Sequence, residues 1–360
     1  MQRRKPSYLW IRRIPRLAES DIRMRSKMEP ARPEPMLMSA SELEELKASN
    51  PSGLVLIDTR EPDAYADGHI AGAVNMHDIF TYLATSTQTG NNAMKNKFAQ
   101  LFGKAGLGGD ETAVIYEEEM DTGFGQSCRG WVILRYLGYP ADKTRVLDGG
   151  IAAWTAGGRP VVTSERLSTP RSPISATPKT FPVSEAGRDL LVDVDEMRQI
   201  VRDQATRQGG PVVILDTRDA EEWHCLSSSP YGVDFCPRKG RIPGAVWIEW
   251  REMMEKTPAG ARIKGPEGVM AECAKVGIGY DTPVIVYCFK GARASNTMIA
   301  LLGAGVRNVR MYMGSWNEWS RDDSLPIVSG TRQVSVSSGT RDKSLAMVTE
   351  TTEITVSNGE

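Results

Sequence analysis

The stretch LVLIDTREPDAYADGHIAGAVNM at residues 54–76 recurs in the second half of the chain, as VVILDTRDAEEW at 212–223 and GRIPGAVWI at 240–248. The equivalent aspartates, Asp58 and Asp216, stand 158 residues apart. Self-similarity at a fixed spacing indicates a repeated structural unit. The sequence therefore predicts two halves built on one plan.

Two further pairs of segments continue this repeat in the same order. AVIYEEE, which begins at Ala113, matches VIVYCFK from Val284, and VLDGGIAAW from Val146 matches MYMGSWNEW from Met311. The blocks keep their order while the spacing between them varies. We therefore expect the two halves to differ mainly in their loops.

Each half reads as an alternation of strands and helices. The runs LVLID, AVIYE, VVILD and VIVYC are short, rich in Val and Ile and bounded by turn formers, as strands buried on both faces are. Helical apolar spacing marks SASELEELKA, where Ser39 is an N-cap and Glu42 follows three residues later. We expect an α/β protein with two domains, each a parallel β-sheet flanked by helices.

Composition gives the chain no global charge signal. Its 360 residues carry 44 basic and 45 acidic side chains, so the net charge of −1 argues against nucleic-acid or membrane partners. The five cysteines are too sparse for a disulfide framework, which indicates a reducing compartment and a cytoplasmic protein. No residue pattern calls for a cofactor or a metal.

Composition also suggests the domain boundaries. A basic extension at 1–36 precedes an N-terminal domain at 37–165, and a Pro- and Ser-rich linker at 166–189 leads to a C-terminal domain at 190–330 and a polar tail at 331–360. We expect the extension and the tail to be disordered. The Arg-rich start also permits a transit peptide, so a mitochondrial location is the alternative.

Cys288 stands at the end of the strand VIVYC, at the edge of the sheet where parallel α/β proteins bind ligands. The loop CFKGAR then adds Lys290, Gly291 and Arg293 before a helix begins. Two cations and the N–H groups of a helix start favour thiolate over thiol, and the same loop can hold an oxyanion. The sequence predicts that Cys288 is a nucleophile, whereas a merely buried cysteine is the alternative.

Taken together, DTR, GHIAGAV with GRIPGAV, YCFKGAR and GSWNEW resemble the tandem-domain rhodanese family of thiosulfate and 3-mercaptopyruvate sulfurtransferases, over residues 37–329. The resemblance implies an N-terminal domain without a nucleophile and a C-terminal domain whose loop cysteine alternates between thiolate and persulfide. Glu117 at the position of Cys288 agrees with this division, because a carboxylate cannot accept a sulfane sulfur. Cys128 lies in a longer N-terminal loop and is expected at the domain interface.

The resemblance also implies roles for the residues around Cys288. Lys290 would contact the anionic donor, Asp216 and Arg218 would support the pocket, and their counterparts Asp58 and Arg60 would be structural. Backbone N–H groups of the loop would stabilise the persulfide, from Phe289, Lys290, Gly291, Ala292 and Arg293.

The chain departs from the family at its donor site. Vertebrate-type thiosulfate enzymes carry a substrate-binding arginine where this chain has Glu222. We therefore expect other cations to bind the donor, and assign this role to Arg238 and Arg241, with Lys239 between them.

Two more departures concern the loop itself. Arg293 stands where tandem enzymes often have threonine, and Met313 stands where the family has aspartate. The loop is bulky and cationic, whereas the mercaptopyruvate branch has a small uncharged one, so thiosulfate fits better. Its six residues also resemble sulfurtransferases more than the related phosphatases, whose loop is one residue longer.

An insertion in the second half contains HCLSSSPYGVDFCPRK at 224–239. Its His224, Cys225 and Cys236 match no standard zinc spacing, so a surface loop is favoured over a metal site or a redox pair. We also consider that Cys236 resolves the Cys288 persulfide to a disulfide under oxidation.

These observations predict a thiosulfate sulfurtransferase that works by double displacement through a Cys288 persulfide. Its partners would be a small anionic sulfur donor and a cyanide, thiol or protein-thiol acceptor. A 3-mercaptopyruvate sulfurtransferase and a non-catalytic sulfur carrier are the alternatives.

Overall fold

The structure is a computed structural model that describes residues 35–164, 177–206 and 212–329. The predictions for the polar tail and for most of the basic extension therefore fall outside these ranges, as does the first part of the predicted linker. Within the ranges, none of the helices combines the length and the apolar character that crossing a membrane requires.

The first half folds around a five-stranded sheet in which every neighbouring pair is parallel. The strands follow the order β1-β5-β4-β2-β3 and comprise β1 (Leu37–Met38), β2 (Leu54–Asp58), β3 (Ala73–Asn75), β4 (Thr112–Tyr116) and β5 (Thr144–Leu147).

The second half repeats this sheet. Its order is β6-β12-β11-β7-β8, again parallel throughout. The strands are β6 (Leu191–Val192), β7 (Val213–Asp216), β8 (Val246–Trp247), β11 (Val284–Tyr287) and β12 (Val309–Tyr312), and an antiparallel hairpin adds β9 (Met254–Thr257) and β10 (Gly260–Ile263). Two parallel sheets flanked by helices confirm the predicted fold class.

The helices lie between the strands, as the alternating pattern predicts. The capping box at the first helix is confirmed, because the Ser39 N–H donates to the Glu42 carboxylate at 2.7 Å and the Ser39 hydroxyl accepts the Glu42 N–H. The helices are α1 (Ala40–Ser49), α2 (Pro62–Asp67), α3 (Asp78–Thr81), α4 (Gln88–Lys104), α5 (Gln126–Tyr136), α6 (Gly150–Ala156), α7 (Val194–Thr206), α8 (Ala220–Trp223), α9 (Pro266–Ala274), α10 (Ala292–Gly303) and α11 (Ser315–Trp319).

The two halves meet where α5 packs against α10. Gly125 precedes α5 with a φ of +75°, and a side chain on it would place Cβ 2.5 Å from the carbonyl oxygen of Ala292. Glycine is needed here because it allows both the left-handed backbone and the close approach. Cys128 is fully buried in α5 and interacts with Asn296 of α10, which places it at the interface, as expected.

Each half contains the same buried ion pair at the carboxyl end of its sheet. Asp216 ends β7 and accepts hydrogen bonds from the Arg218 guanidinium at 2.7 Å and from the Tyr287 hydroxyl at 2.6 Å. Asp58 and Arg60 form the equivalent pair, also at 2.7 Å. Buried ion pairs add little net stability but hold one geometry, so this pair fixes where β11 ends and the next loop begins.

The loop after β4 closes around its own acidic residue. Glu117 is fully buried, and its carboxyl group accepts the N–H of Gln126 at 2.7 Å and the hydroxyl of Ser127 at 2.8 Å. Burial raises the pKa of Glu117 to about 8, against the opposing effect of these hydrogen bonds. At neutral pH the folded protein therefore holds a proton here that the unfolded chain would release.

This proton predicts a pH dependence of stability. The unfolded pKa of a glutamate is 4.5, so the folded state binds more protons than the unfolded state between about pH 4.5 and 8, and stability falls as pH rises across this window. Glu117→Gln removes the titrating group. We expect its melting temperature to fall less than that of wild type between pH 5 and pH 8.5, in thermal unfolding followed by circular dichroism.

The exposed Glu45 provides a matched control, because Glu45→Gln removes a carboxyl group without removing a buried one. The control should keep the wild-type pH slope. Equal slopes in wild type and Glu117→Gln would contradict this account of Glu117.

Candidate active site

Cys288 directly follows β11 and is 1% exposed. Its Sγ atom accepts the N–H of Gly291 at 3.1 Å, so the loop folds back over the sulfur. Gly291 has a φ of +91°, and a Cβ there would lie 2.6 Å from the Met313 sulfur. Glycine is therefore required, and Met313 packs against the loop in place of the aspartate that the family resemblance implies.

The segment GSWNEW holds the loop from behind. The N–H of Cys288 donates to the Ser315 hydroxyl at 3.3 Å, and the Cys288 carbonyl accepts the N–H of Trp316 at 3.0 Å. Asn317 N–H donates to the Phe289 carbonyl at 2.9 Å. These hydrogen bonds fix the main chain on both sides of the sulfur. They explain why the last repeated block belongs to the site, although it lies far along the chain.

Arg293 interacts with two carboxylates as well as with the Cys288 sulfur. Its guanidinium donates to Glu222 at 2.6 Å and 3.1 Å and lies 3.0 Å from the Asp219 carboxylate. Burial alone would lower the pKa of Arg293, but the Glu222 carboxylate raises it, so the charge is permanent. Glu222 stands where the family resemblance implies a substrate-binding arginine. In this structure it neutralises the charge of Arg293, the last cation of the loop.

Lys290 is the loop cation without such a partner. It is 8% exposed, and within the described ranges no carboxylate lies within ion-pair distance of it. Its ammonium lies 3.7 Å from the centre of the Phe80 ring and 5.3 Å from that of Tyr231, in cation–π contact. Burial lowers the pKa of Lys290 to about 8, helped by the charge of Arg129 and opposed by Cys288.

The N-terminal half supplies a cation that sequence reasoning missed. Arg129 of α5 is fully buried, and its guanidinium donates to the carbonyls of Ile79 (2.9 Å), Phe80 (3.0 Å) and Tyr82 (2.7 Å). Burial lowers the pKa of Arg129 to about 10, and Cys288 opposes this shift, so the two groups interact. An arginine inside the apolar stretch CRGWVIL was the only signal, since its partners are main-chain atoms.

Asp216 and Arg218 lie beneath the loop, because Tyr287 joins their hydrogen-bond network directly before Cys288. The Arg218 guanidinium also lies 4.7 Å from the centre of the Trp316 ring. Both groups are fully buried. They contact residues that hold the loop, and their supporting role stays a prediction.

Arg238 and Arg241 are not brought to the sulfur, and their assignment to donor binding needs correction. Arg238 donates to the carbonyls of Trp319, Ser320, Asp322 and Leu325, which uses its guanidinium at the end of α11. Arg241 donates to the Trp223 carbonyl at 3.0 Å and stacks on the Trp223 ring. A cation that is near a loop in the sequence does not reach the pocket of that loop when it donates to main-chain carbonyls elsewhere.

The insertion contributes an aromatic side chain rather than a thiol. Tyr231 lies 5.4 Å from Phe289, ring centre to ring centre. Cys236 is fully buried among Tyr287, Phe289 and other residues on one face of the sheet, whereas Cys288 belongs to the cluster on the other face. Burial raises the pKa of Cys236. The geometry does not support Cys236 as the partner of Cys288.

The histidines have structural contacts. The Nδ1 atom of His69 lies 2.8 Å from the Tyr65 carbonyl. The Nδ1 atom of His77 lies 2.9 Å from the Thr59 carbonyl. Across the described part of the chain, no group of three or more His, Cys, Asp or Glu side chains could hold a metal ion.

Comparison with known proteins agrees with this architecture. A family model described as Rhodanese-like domain matches the chain twice, at residues 39–157 and 194–322. The thiosulfate sulfurtransferase of Azotobacter vinelandii is 27% identical over 277 residues, covering 76% of this chain and 90% of the relative. The 3-mercaptopyruvate sulfurtransferase of Escherichia coli K12 is 26% identical over 275 residues, covering 75% and 86%.

Solved structures share the fold. The anaerobic ergothioneine biosynthesis enzyme of Chlorobium limicola superposes with a TM-score of 0.66 at 23% identity, over 82% of this chain and 70% of that one. The family model matches well over half of the sequence. The chain therefore belongs to the rhodanese-like domain family, with one copy of the domain in each half.

Proposed function

We propose that this protein is a sulfurtransferase that moves sulfane sulfur from thiosulfate to a thiol or cyanide through a persulfide on Cys288. The observation that carries the proposal is the hydrogen bond from the Gly291 N–H to the Cys288 sulfur, next to the Lys290 ammonium, which has no carboxylate within ion-pair distance among the described residues. Sulfurtransferase relatives over three quarters of the chain support the same reaction class.

In the first half-reaction the Cys288 thiolate attacks the outer sulfur of thiosulfate. The new bond joins Sγ to that sulfur, the sulfur–sulfur bond of the donor breaks, and sulfite leaves with its electron pair. Lys290 would attract the donor, and the Gly291 N–H would stabilise the anionic sulfur before and after transfer. Once the thiolate has formed, this step moves no proton.

In the second half-reaction a thiolate or cyanide attacks the outer sulfur of the persulfide. The Cys288 thiolate is then the leaving group, and the nearby charges of Lys290 and Arg129 would stabilise it as it departs. Cys288 is 1% exposed, so water has little access to the persulfide between the two steps, which would protect it from hydrolysis and oxidation.

A second donor, 3-mercaptopyruvate, is favoured by one observation. Glu222 and Asp219 neutralise Arg293, so the loop is less cationic than its sequence suggests. A carboxylate donor with one charge needs fewer cations than thiosulfate does. One of the two relatives described above is also named for this donor.

Persulfide formation tests the proposal directly. Wild-type protein incubated with thiosulfate should gain one sulfur atom by intact-mass spectrometry, and Cys288→Ser should gain none. Cys273→Ser is a matched control, because Cys273 is a buried thiol in α9 outside the site, and it should behave as wild type. Wild-type protein with a free Cys288 that gained no sulfur would refute the proposal.

Turnover separates an enzyme from a sulfur carrier. An enzyme should convert many equivalents of thiosulfate and cyanide to sulfite and thiocyanate. One equivalent of product followed by a halt would support the carrier instead.

Lys290 predicts a pH dependence of donor binding. Its pKa of about 8 means that the ammonium loses its proton as pH rises from 7 to 9. Since the charged form attracts the donor, the KM for thiosulfate should rise through this window, by roughly tenfold for the loss of one buried charge contact. Lys290→Met should show a high KM with no such rise. Steady-state kinetics between pH 6.5 and 9.5 would measure both, and a rising limb retained in Lys290→Met would exclude this role.

A second variant at Lys290 can rank the two donors. Lys290→Ser should lower kcat/KM for thiosulfate more than for 3-mercaptopyruvate, because the doubly charged donor depends more on the cation. We expect the thiosulfate-to-mercaptopyruvate ratio to fall by about tenfold. An unchanged ratio would mean that Lys290 does not discriminate between the donors.

A further inference from the structure

A short segment of the N-terminal half reaches the second half through both of its ends. We call this segment, residues 79–86, the strap. Near its start, the Phe80 ring covers the Lys290 ammonium at 3.7 Å. Its last residue, Ser86, is 4% exposed and bonds to Glu318 of α11. The strap therefore contacts both the cation of the Cys288 loop and the helix that holds this loop from behind.

The contact at Ser86 consists of three short hydrogen bonds, which we call the clasp. The N–H and the hydroxyl of Ser86 donate to the two carboxylate oxygens of Glu318, at 2.7 Å and 2.6 Å. The same hydroxyl accepts the N–H of Val194 at 2.7 Å. Hydrogen bonds to a carboxylate are stronger than those between neutral groups. One serine of the first half thus ties together the start of α7 and α11 of the second half.

Glu318 lies on the helix that holds the main chain around Cys288. The Cys288 N–H donates to the Ser315 hydroxyl at 3.3 Å, and the Trp316 N–H donates to the Cys288 carbonyl at 3.0 Å. In the duplicated block of the first half, Ala153 stands at the position of Glu318. In this pair of blocks the carboxylate therefore belongs to the half that carries the cysteine. A force on Glu318 would reach the sulfur through one short helix.

The strap is well held between its two ends. The Arg129 guanidinium binds the carbonyls of Ile79, Phe80 and Tyr82, and Ala84 is 3% exposed. A segment with so many buried contacts moves as one piece with the half that carries it. The place where Ser86 meets α11 therefore sets where Phe80 lies over the loop.

The position of Phe80 determines how much water reaches Lys290. The ring covers the ammonium from the strap, and the Tyr231 ring faces it from the insertion at 5.3 Å. The charged groups that act on the ammonium are Arg129 of α5, Cys288 of the loop and Arg293 of α10. Burial is the largest of the causes that lower the pKa of Lys290 to about 8. A strap that moved away would hydrate the ammonium and raise this pKa again.

We propose that Ser86 and Glu318 are positioning residues, which hold the strap on α11 so that Phe80 stays over the Lys290 ammonium beside Cys288. They act through other residues, because their hydrogen bonds join them to each other and to Val194 rather than to the sulfur. The inference deepens the proposed function and rests on it for its kinetic consequence. The half without a nucleophile would thus control the protonation of a cation in the site.

Competitive acetylation tests the clasp without any sulfur donor. The full chain is treated with trace acetic anhydride between about pH 6 and pH 10, and mass spectrometry quantifies the acetylated peptide that contains Lys290. Because the neutral amine is the form that reacts, the midpoint of the curve gives the pKa. We expect a midpoint of about 8 in wild type. In Ser86→Ala and in Glu318→Gln the midpoint should lie about one pH unit higher.

Glu185→Gln is the matched control. It removes a carboxylate that pairs with Lys95 at 2.8 Å, an exposed contact outside the strap, and it should keep the wild-type midpoint. Circular dichroism shows whether each variant is folded. Glu318→Gln keeps the size of its side chain and decides the case if Ser86→Ala does not fold. A wild-type midpoint in a folded clasp variant would overturn the proposal.

Kinetics connects the clasp to the reaction. In the clasp variants, the rise of the KM for thiosulfate should move to higher pH together with the midpoint, because the ammonium keeps its proton longer. A general loss of stability would lower the melting temperature without moving the pH at which KM rises. If wild type gains no sulfur on Cys288, the proposed function is wrong, while the acetylation midpoints still decide the clasp. If sulfur is gained and the midpoints do not move, the clasp alone is wrong.

Discussion

The buried pair between Asp216 and Arg218 is the constraint on which the site depends. The carboxylate receives the arginine fork and the Tyr287 hydroxyl, so three side chains lock the end of β11 to the end of β7. Cys288 is the next residue. A nucleophile that must meet a donor within a few tenths of an ångström benefits from a rigid support of this kind. Because burying these charges is costly, we attribute the pair to positioning rather than to stability.

The charges around Cys288 come from both halves of the chain. Glu222 neutralises Arg293, and the N-terminal half supplies another cation, Arg129. The Arg129 guanidinium also donates to the main-chain carbonyl of Phe80. Phe80 in turn covers Lys290. The N-terminal half thus contributes charge and an aromatic wall beside Cys288. The loop that carries Cys288 does not contain the whole candidate site.

The sequence pattern predicted the features of the fold that interactions between residues close in sequence determine. The strand runs, the Ser39 cap and the position of Cys288 at a strand end follow from residue type and spacing, and the duplicated blocks fixed the two-sheet architecture. Arg129 and Phe80 could not be found in this way, because they act on residues about 160 to 210 positions away. Arg238 was misassigned because a cation beside an insertion binds whichever carbonyls the tertiary structure brings to it.

The carboxyl group of Glu117 has a consequence for the chemistry of the first half. In the loop equivalent to that of Cys288, it accepts hydrogen bonds from Gln126 and Ser127. A cysteine at position 117 would lack a counterpart of Lys290, because Glu119 stands at that position, two residues further along the chain. The chemistry of the first half therefore depends on more than the one residue at the position of Cys288, and a single substitution there would not reproduce the loop around that cysteine.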